Sequence, residues 1–139
     1  MFEKLLMPLV LANVLGGTLR GKTRCQKLVF LIQKQASTRK VLKEKFDYEL
    51  SHYGPFSNEL ASVMDELVKK GYLWQETQIA PAGYLRYVYS LTKAGKELLD
   101  VATEKNLLAP ELTDIIKDVA EGYGDLPLPQ LVEEAKKRF

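Results

Sequence analysis

The chain has 139 residues, 46% of them hydrophobic and 27% charged, the composition of one ordinary globular domain that buries roughly two thirds of its unfolded surface. A single cysteine, Cys25, and a single histidine, His52, exclude an intramolecular disulfide and a Cys/His zinc site built from one chain; the lone thiol fits a reducing, cytoplasmic setting. The net charge of +2 hides an asymmetry: residues 1–45 hold ten Lys and Arg against two acids, and residues 46–139 hold ten against sixteen, which points either to a charged partner or to halves that neutralise each other on folding.

In chain order, the apolar run Leu5–Leu15 is too short to span a bilayer and is followed by basic, helix-forming sequence rather than a cleavage site. It reads as a buried helix over about 3–15, with Pro8 marking a late start or a kink and Gly16–Gly17 ending it. A second helix is expected over about 22–36. Cys25, Leu28, Val29 and Ile32 share one face, and the unbroken Leu28–Ile32 run makes it apolar nearly all round, as in a central core helix. Ser37–Lys45 reads as a short basic helical segment, and Phe46–Leu50 alternates as a short strand.

Gly54-Pro55 signals a turn, and Ser57 is placed to cap a helix over 58–70, with Glu59 in its first turn, Lys69 and Lys70 in its last, and Gly71 closing it. Tyr72–Ile79 and Tyr84–Leu91 are strand-like, joined through Ala80–Gly83 as a hairpin. Thr92 caps a helix over about 93–105. A further helix from Pro110 carries Leu112, Ile115, Ile116 and Val119 on one face and stops at Gly122–Gly124. A last one begins near Pro129.

The order of capped helix, hairpin and capped helix is that of a winged helix: a mainly α (α+β) winged helix-turn-helix with a β-hairpin wing. The chain reads as one domain, 1–139, with 107–139 as a C-terminal helical extension. The run Leu67-Val68-Lys69-Lys70-Gly71-Tyr72, answered by Tyr89-Ser90-Leu91-Thr92-Lys93-Ala94-Gly95, resembles the join shared by the MarR and PadR regulator families. Gly21-Lys22-Thr23-Arg24-Cys25-Gln26-Lys27-Leu28-Val29-Phe30-Leu31, with Tyr53-Gly54-Pro55-Phe56-Ser57-Asn58-Glu59-Leu60, resembles an uncharacterised, largely archaeal prokaryotic winged-helix family. That family's signature is GRTRLQKLVFLL…YGPYSxEL, and it is similar at motif level to Panacea-type antitoxin domains. Lys22 and Cys25 depart mildly from that pattern. The resemblance implies the fold and no catalytic residues.

For nucleic acid, the candidate contacts are Arg20, Lys22, Arg24, Lys27 and Lys34 around the second helix, Asn58, Ser62 and Lys69 on the helix before the hairpin, and Arg86 on the hairpin. The solvent face of the 58–70 helix adds Glu59, Asp65 and Glu66 to these, and three acids beside one base repel phosphate, which disfavours docking through that helix. A Cys25–His52 catalytic pair competes with a buried, inert thiol. Tyr48, Tyr53, Phe56, Tyr72 and Trp74 offer either a ligand pocket or packing. The 112/115/116/119 stripe either forms a homodimer or packs back on the first two helices. No catalytic constellation, cofactor loop or metal set is legible. Two functions stay open: a double-stranded-DNA-binding, transcription-regulator-like protein using the basic second-helix region, or a non-enzymatic module that binds a protein partner, antitoxin-like or complex-assembling. No membrane partner is expected.

Overall fold

A computed structural model describes residues 2–139. Its elements are α1 (Phe2–Val14), β1 (Thr18–Arg20), α2 (Lys22–Thr38), β2 (Glu49–Ser51), β3 (Gly54–Phe56), α3 (Asn58–Lys69), β4 (Leu73–Ile79), β5 (Leu85–Leu91), α4 (Lys93–Glu104), α5 (Pro110–Tyr123) and α6 (Leu128–Lys137). β4 and β5 form the wing hairpin. β1 pairs antiparallel with the other side of β5, so the sheet order is β1-β5-β4, and β2 and β3 form a separate small hairpin. The fold is a mainly α winged helix with additional C-terminal helices. No helix among the described residues is long and apolar enough to cross a membrane.

α2 runs through the centre, against α5, α6, α1 and β3. That position explains its all-round apolar surface: Cys25 and Leu28–Ile32 are buried because other elements cover every side. α1 continues through Pro8 and buries Leu6, Met7, Leu9 and Leu11. The α5 stripe of Leu112, Ile115, Ile116 and Val119 is fully buried against α1 and α2. Of the two alternatives for this stripe, the second holds: it packs back on the first two helices, which leaves it no apolar surface for a homodimer. α5 is also part of the core rather than an appendage to it.

Local chemistry sets the helix ends. Ser57 Oγ accepts the Leu60 N–H at 3.1 Å and so caps α3. Gly71, at φ +81°, lets the chain leave α3 in the left-handed region. Thr92 Oγ1 accepts the Gly95 N–H at 3.0 Å and donates to Gly71 O at 2.6 Å, which ties the start of α4 to the end of α3. Gly95 is needed because a Cβ there would collide with the Tyr72 carbonyl.

Two expectations change. Ser37–Lys45 is not helical past Thr38; the chain turns at Lys40, φ +57°, and the Lys43 and Glu44 N–H groups donate to Glu3 Oε1 at 2.8 and 2.7 Å. The strand expected at 46–50 begins only at Glu49, because Gln33 takes both the N–H and the carbonyl of Phe46, at 2.7 and 2.9 Å, and holds that ring in the core. α5 stops as expected within Gly122–Gly124, its last residue being Tyr123.

Candidate binding groove beside the wing

Arg20 ends β1, and Gly21, at φ +109°, turns the chain into α2. The first turn of α2 therefore faces the free end of the wing. Lys22 is exposed, with Nζ 4.2 Å from the centre of the Tyr87 ring on β5, a cation–π contact. Arg24 is half-buried and donates from Nη1 to Gly124 O at 3.0 Å. Burial first, and then the nearby Arg86, pull its pKa below the usual arginine value, against the opposing influence of Tyr84 and Asp125. Arg86 Nε is shut off from solvent with no hydrogen-bond partner among the described residues.

These residues border a groove of about 1120 Å³. The wing supplies Tyr84, Leu85, Arg86 and Tyr87 on one side. The start of α2 lies at its base. Tyr53 of the β2–β3 turn and Leu128, Val132 and Lys136 of α6 form the far side. Five cations line it (Arg20, Lys22, Arg24, Arg86 and Lys136) against one acid, Glu133. Its rim is apolar where a solvated hairpin would be polar: Leu85 is 70% exposed and Tyr53 62%. Ile79, paired with Leu85 across the hairpin, is likewise exposed. Within the groove Lys136 lies 3.9 Å from Glu133; a smaller hollow of about 590 Å³ between α5 and α6 has no excess of cations, being lined by Glu133 and Glu134 beside Lys137.

The nine expected contact residues do not form one surface. Arg20, Lys22, Arg24 and Arg86 meet in the groove. Lys34 is exposed at the other end of α2, with Nζ 5.6 Å from the Phe30 ring, and the helical rise of about 1.5 Å per residue puts it roughly 18 Å from Lys22. Asn58, Ser62 and Lys69 are exposed on α3 beside Glu59, Asp65 and Glu66, and Glu59 Oε2 is already 2.7 Å from Lys4 Nζ.

Lys27 is a correction. It is 1% exposed, and Nζ donates to Pro55 O at 2.8 Å. It is no surface contact for nucleic acid. Its neighbour Gln26 holds both backbone groups of Ser57, donating to the carbonyl at 2.9 Å and accepting the N–H at 2.8 Å. The Gln-Lys pair of α2 and the Gly-Pro-Phe-Ser turn are thus two halves of one buried clasp. Gly54, at φ +91°, packs against the Lys27 and Lys136 side chains.

Among proteins of known sequence, no family model matches this chain. It is 33% identical over 104 residues to the uncharacterized protein YwgA of Bacillus subtilis (strain 168), a stretch that is 75% of this chain and 57% of that relative. The chain therefore spans little more than half the length of the curated relative it matches.

The other candidates resolve by position. Cys25 is buried, which pushes its thiol up to about 12, and His52 is exposed and edge-on to Tyr53 at 4.8 Å, so no thiol–imidazole pair forms. Of the five aromatics between 48 and 74, only Tyr53 lines the groove; Tyr48 packs edge-on to Phe30 at 5.0 Å, and Trp74 is exposed on the sheet. Sequence reasoning missed Tyr84, Leu85, Tyr87 and Lys136. The signal available was the pair of large aliphatics, Ile79 and Leu85, flanking the hairpin loop.

Proposed function

We propose that this protein is a non-enzymatic interaction module on a winged-helix scaffold, which binds an acidic, apolar segment of a partner protein in the wing-side groove. One observation carries the reading: five cations and one acid surround a rim of exposed tyrosine and leucine. Tyrosine and arginine are the residues that concentrate binding energy at protein interfaces, whereas surfaces for nucleic acid are more polar. Exposed apolar side chains gathered at one site are the mark of a surface that a partner covers. The cations steer an acidic segment and fix its register, and the apolar rim supplies affinity.

A second reading, a nucleic-acid-binding and transcription-regulator-like role, draws support from Arg20 and Lys22 standing beside exposed tyrosine rings, the pairing used on single strands. The acidic α3 face gives no support to duplex docking through that helix.

Fluorescence anisotropy separates the two. The probes are a labelled peptide of Glu and Leu, the same peptide with Glu replaced by Gln, the same with Leu replaced by Ser, and a duplex and a single-stranded oligonucleotide. The proposal expects the Glu/Leu peptide to bind and each replacement to weaken it at least several-fold. Binding of an oligonucleotide at physiological salt with no binding of the Glu/Leu peptide would overturn it.

A further inference from the structure

Resting on that reading, we infer that the partner segment enters the groove as an extended strand, adding to the open edge of β5 in line with β1. β1 is only three residues long. Its register ends at Arg20 opposite Val88, whereas β5 continues to Leu85. Beyond Arg20 the chain turns away at Gly21 into α2, and among the described residues no strand covers β5 from Tyr87 to Leu85 on that side. The uncovered edge borders the groove.

The direction of its backbone groups follows from one hydrogen bond. The Leu91 N–H donates to Gly17 O at 2.8 Å, toward the β1 side. Strand geometry repeats every two residues, so the N–H and C=O of Tyr89, Tyr87 and Leu85 turn the same way. Tyr89 faces Leu19 of β1. Tyr87 and Leu85 are left presenting their backbone groups to the groove. A row of such groups is a template for another strand, and proteins normally blunt it with charge, proline or a covering element.

The same two-residue repeat specifies the partner's side chains. Leu85 and Tyr87 lie on one face of the sheet, with the buried Leu19, Tyr89 and Leu73 further along it. Arg86 and Arg20 lie on the other. A strand added here sets alternate residues beside Leu85 and Tyr87 and the intervening ones beside Arg86 and Arg20. The matching segment alternates apolar and acidic residues with period two. An amphipathic helix, whose acids and apolar residues recur at three and four, does not match both faces.

The experiment uses the full chain and four peptides built from the same Glu and Ile residues: the two alternating, the same residues in helical order, and the alternating peptide N-methylated at every second residue in each of the two phases. Binding is followed by anisotropy and by amide hydrogen exchange of the protein. The expected result is that the alternating peptide binds at least tenfold more tightly than the helical one. One phase of N-methylation abolishes binding and the other does not, and the Leu85 and Tyr87 amides become protected. Equal or tighter binding of the helical peptide, or indifference to both N-methylation phases, overturns strand addition while leaving the acidic-segment reading intact. Protection of Gln75 and Thr77, on the outer edge of β4, places the strand on the wrong side and also overturns it. If no peptide in the set binds, the reading on which the inference rests fails with it.

Discussion

Lys27 carries its ammonium into the interior, where it donates a hydrogen bond to the Pro55 carbonyl, and burial first, then the charge of Lys136, pull its pKa from 10.5 down to about 8. The consequence for stability has a definite sign. Between about pH 8 and 10.5 the unfolded chain holds this proton and the folded chain has lost it, so stability rises with pH through that window on account of this residue. Urea unfolding of the wild type and of Lys27→Met at pH 7, 8.5 and 10 is expected to show the wild type gaining on the variant as pH rises. A difference that stays constant would mean the ammonium is not desolvated in solution. Gln26→Ala removes both bonds to the Ser57 backbone. Each buried group left unpaired costs about 1–3 kcal/mol, so a loss of roughly 2–6 kcal/mol is expected in the same assay. Both residues sit in a stretch whose basic character suggests surface. Lys27 and Lys34 are seven apart and share a helical face, yet one is buried and the other exposed. Helical periodicity assigns faces; it does not say that a neighbouring turn will fold over one end of a face and leave the other bare.

At the scale of elements, α3, the wing and α4 were legible because their boundaries are written in local chemistry: a serine cap, a left-handed glycine, alternating strands and a threonine cap. Gly95→Ala tests that join. The added Cβ meets the Tyr72 carbonyl and the Leu91 side chain, and overpacking of this kind costs about 1–3 kcal/mol, read as a lowered Tm. Gly54→Ala adds a left-handed strain to contacts of 3.3 and 3.4 Å with Lys27 and Lys136 and is expected to destabilise as well. β1 and β2 were not legible as they stand. Three residues are too few for a periodic signal; β1 exists because β5, distant in sequence, is brought alongside, and β2 pairs only with the equally short β3 across the adjoining turn. The basic stretch after α2 was misread as helix for the same reason: its backbone is committed to Glu3, some forty residues earlier.

For the whole molecule, the charge asymmetry of the sequence resolves into several environments rather than one basic face. Some cations turn inward to carbonyls, as Lys27 does. Others pair with acids, as Lys4 does with Glu59. A set of five collects beside the wing. The stripe on α5 that offered a dimer is part of the core, so Ile116→Asp is expected to abolish cooperative unfolding outright rather than to separate two folded subunits, a distinction that circular dichroism with sedimentation velocity draws directly. What the sequence left open was the groove, because its walls come from four separate regions: the start of α2, the β2–β3 turn, the wing and α6.

The central claim, that the groove recognises an acidic, apolar segment by charge, is tested most directly by a charge swap. Arg20→Glu/Arg86→Glu should fold as the wild type does by circular dichroism, lose affinity for the alternating Glu/Ile peptide by at least tenfold, and gain affinity for the matching Lys/Ile peptide. Unchanged binding of the Glu/Ile peptide by the folded double variant, with no gain for Lys/Ile, would contradict the account.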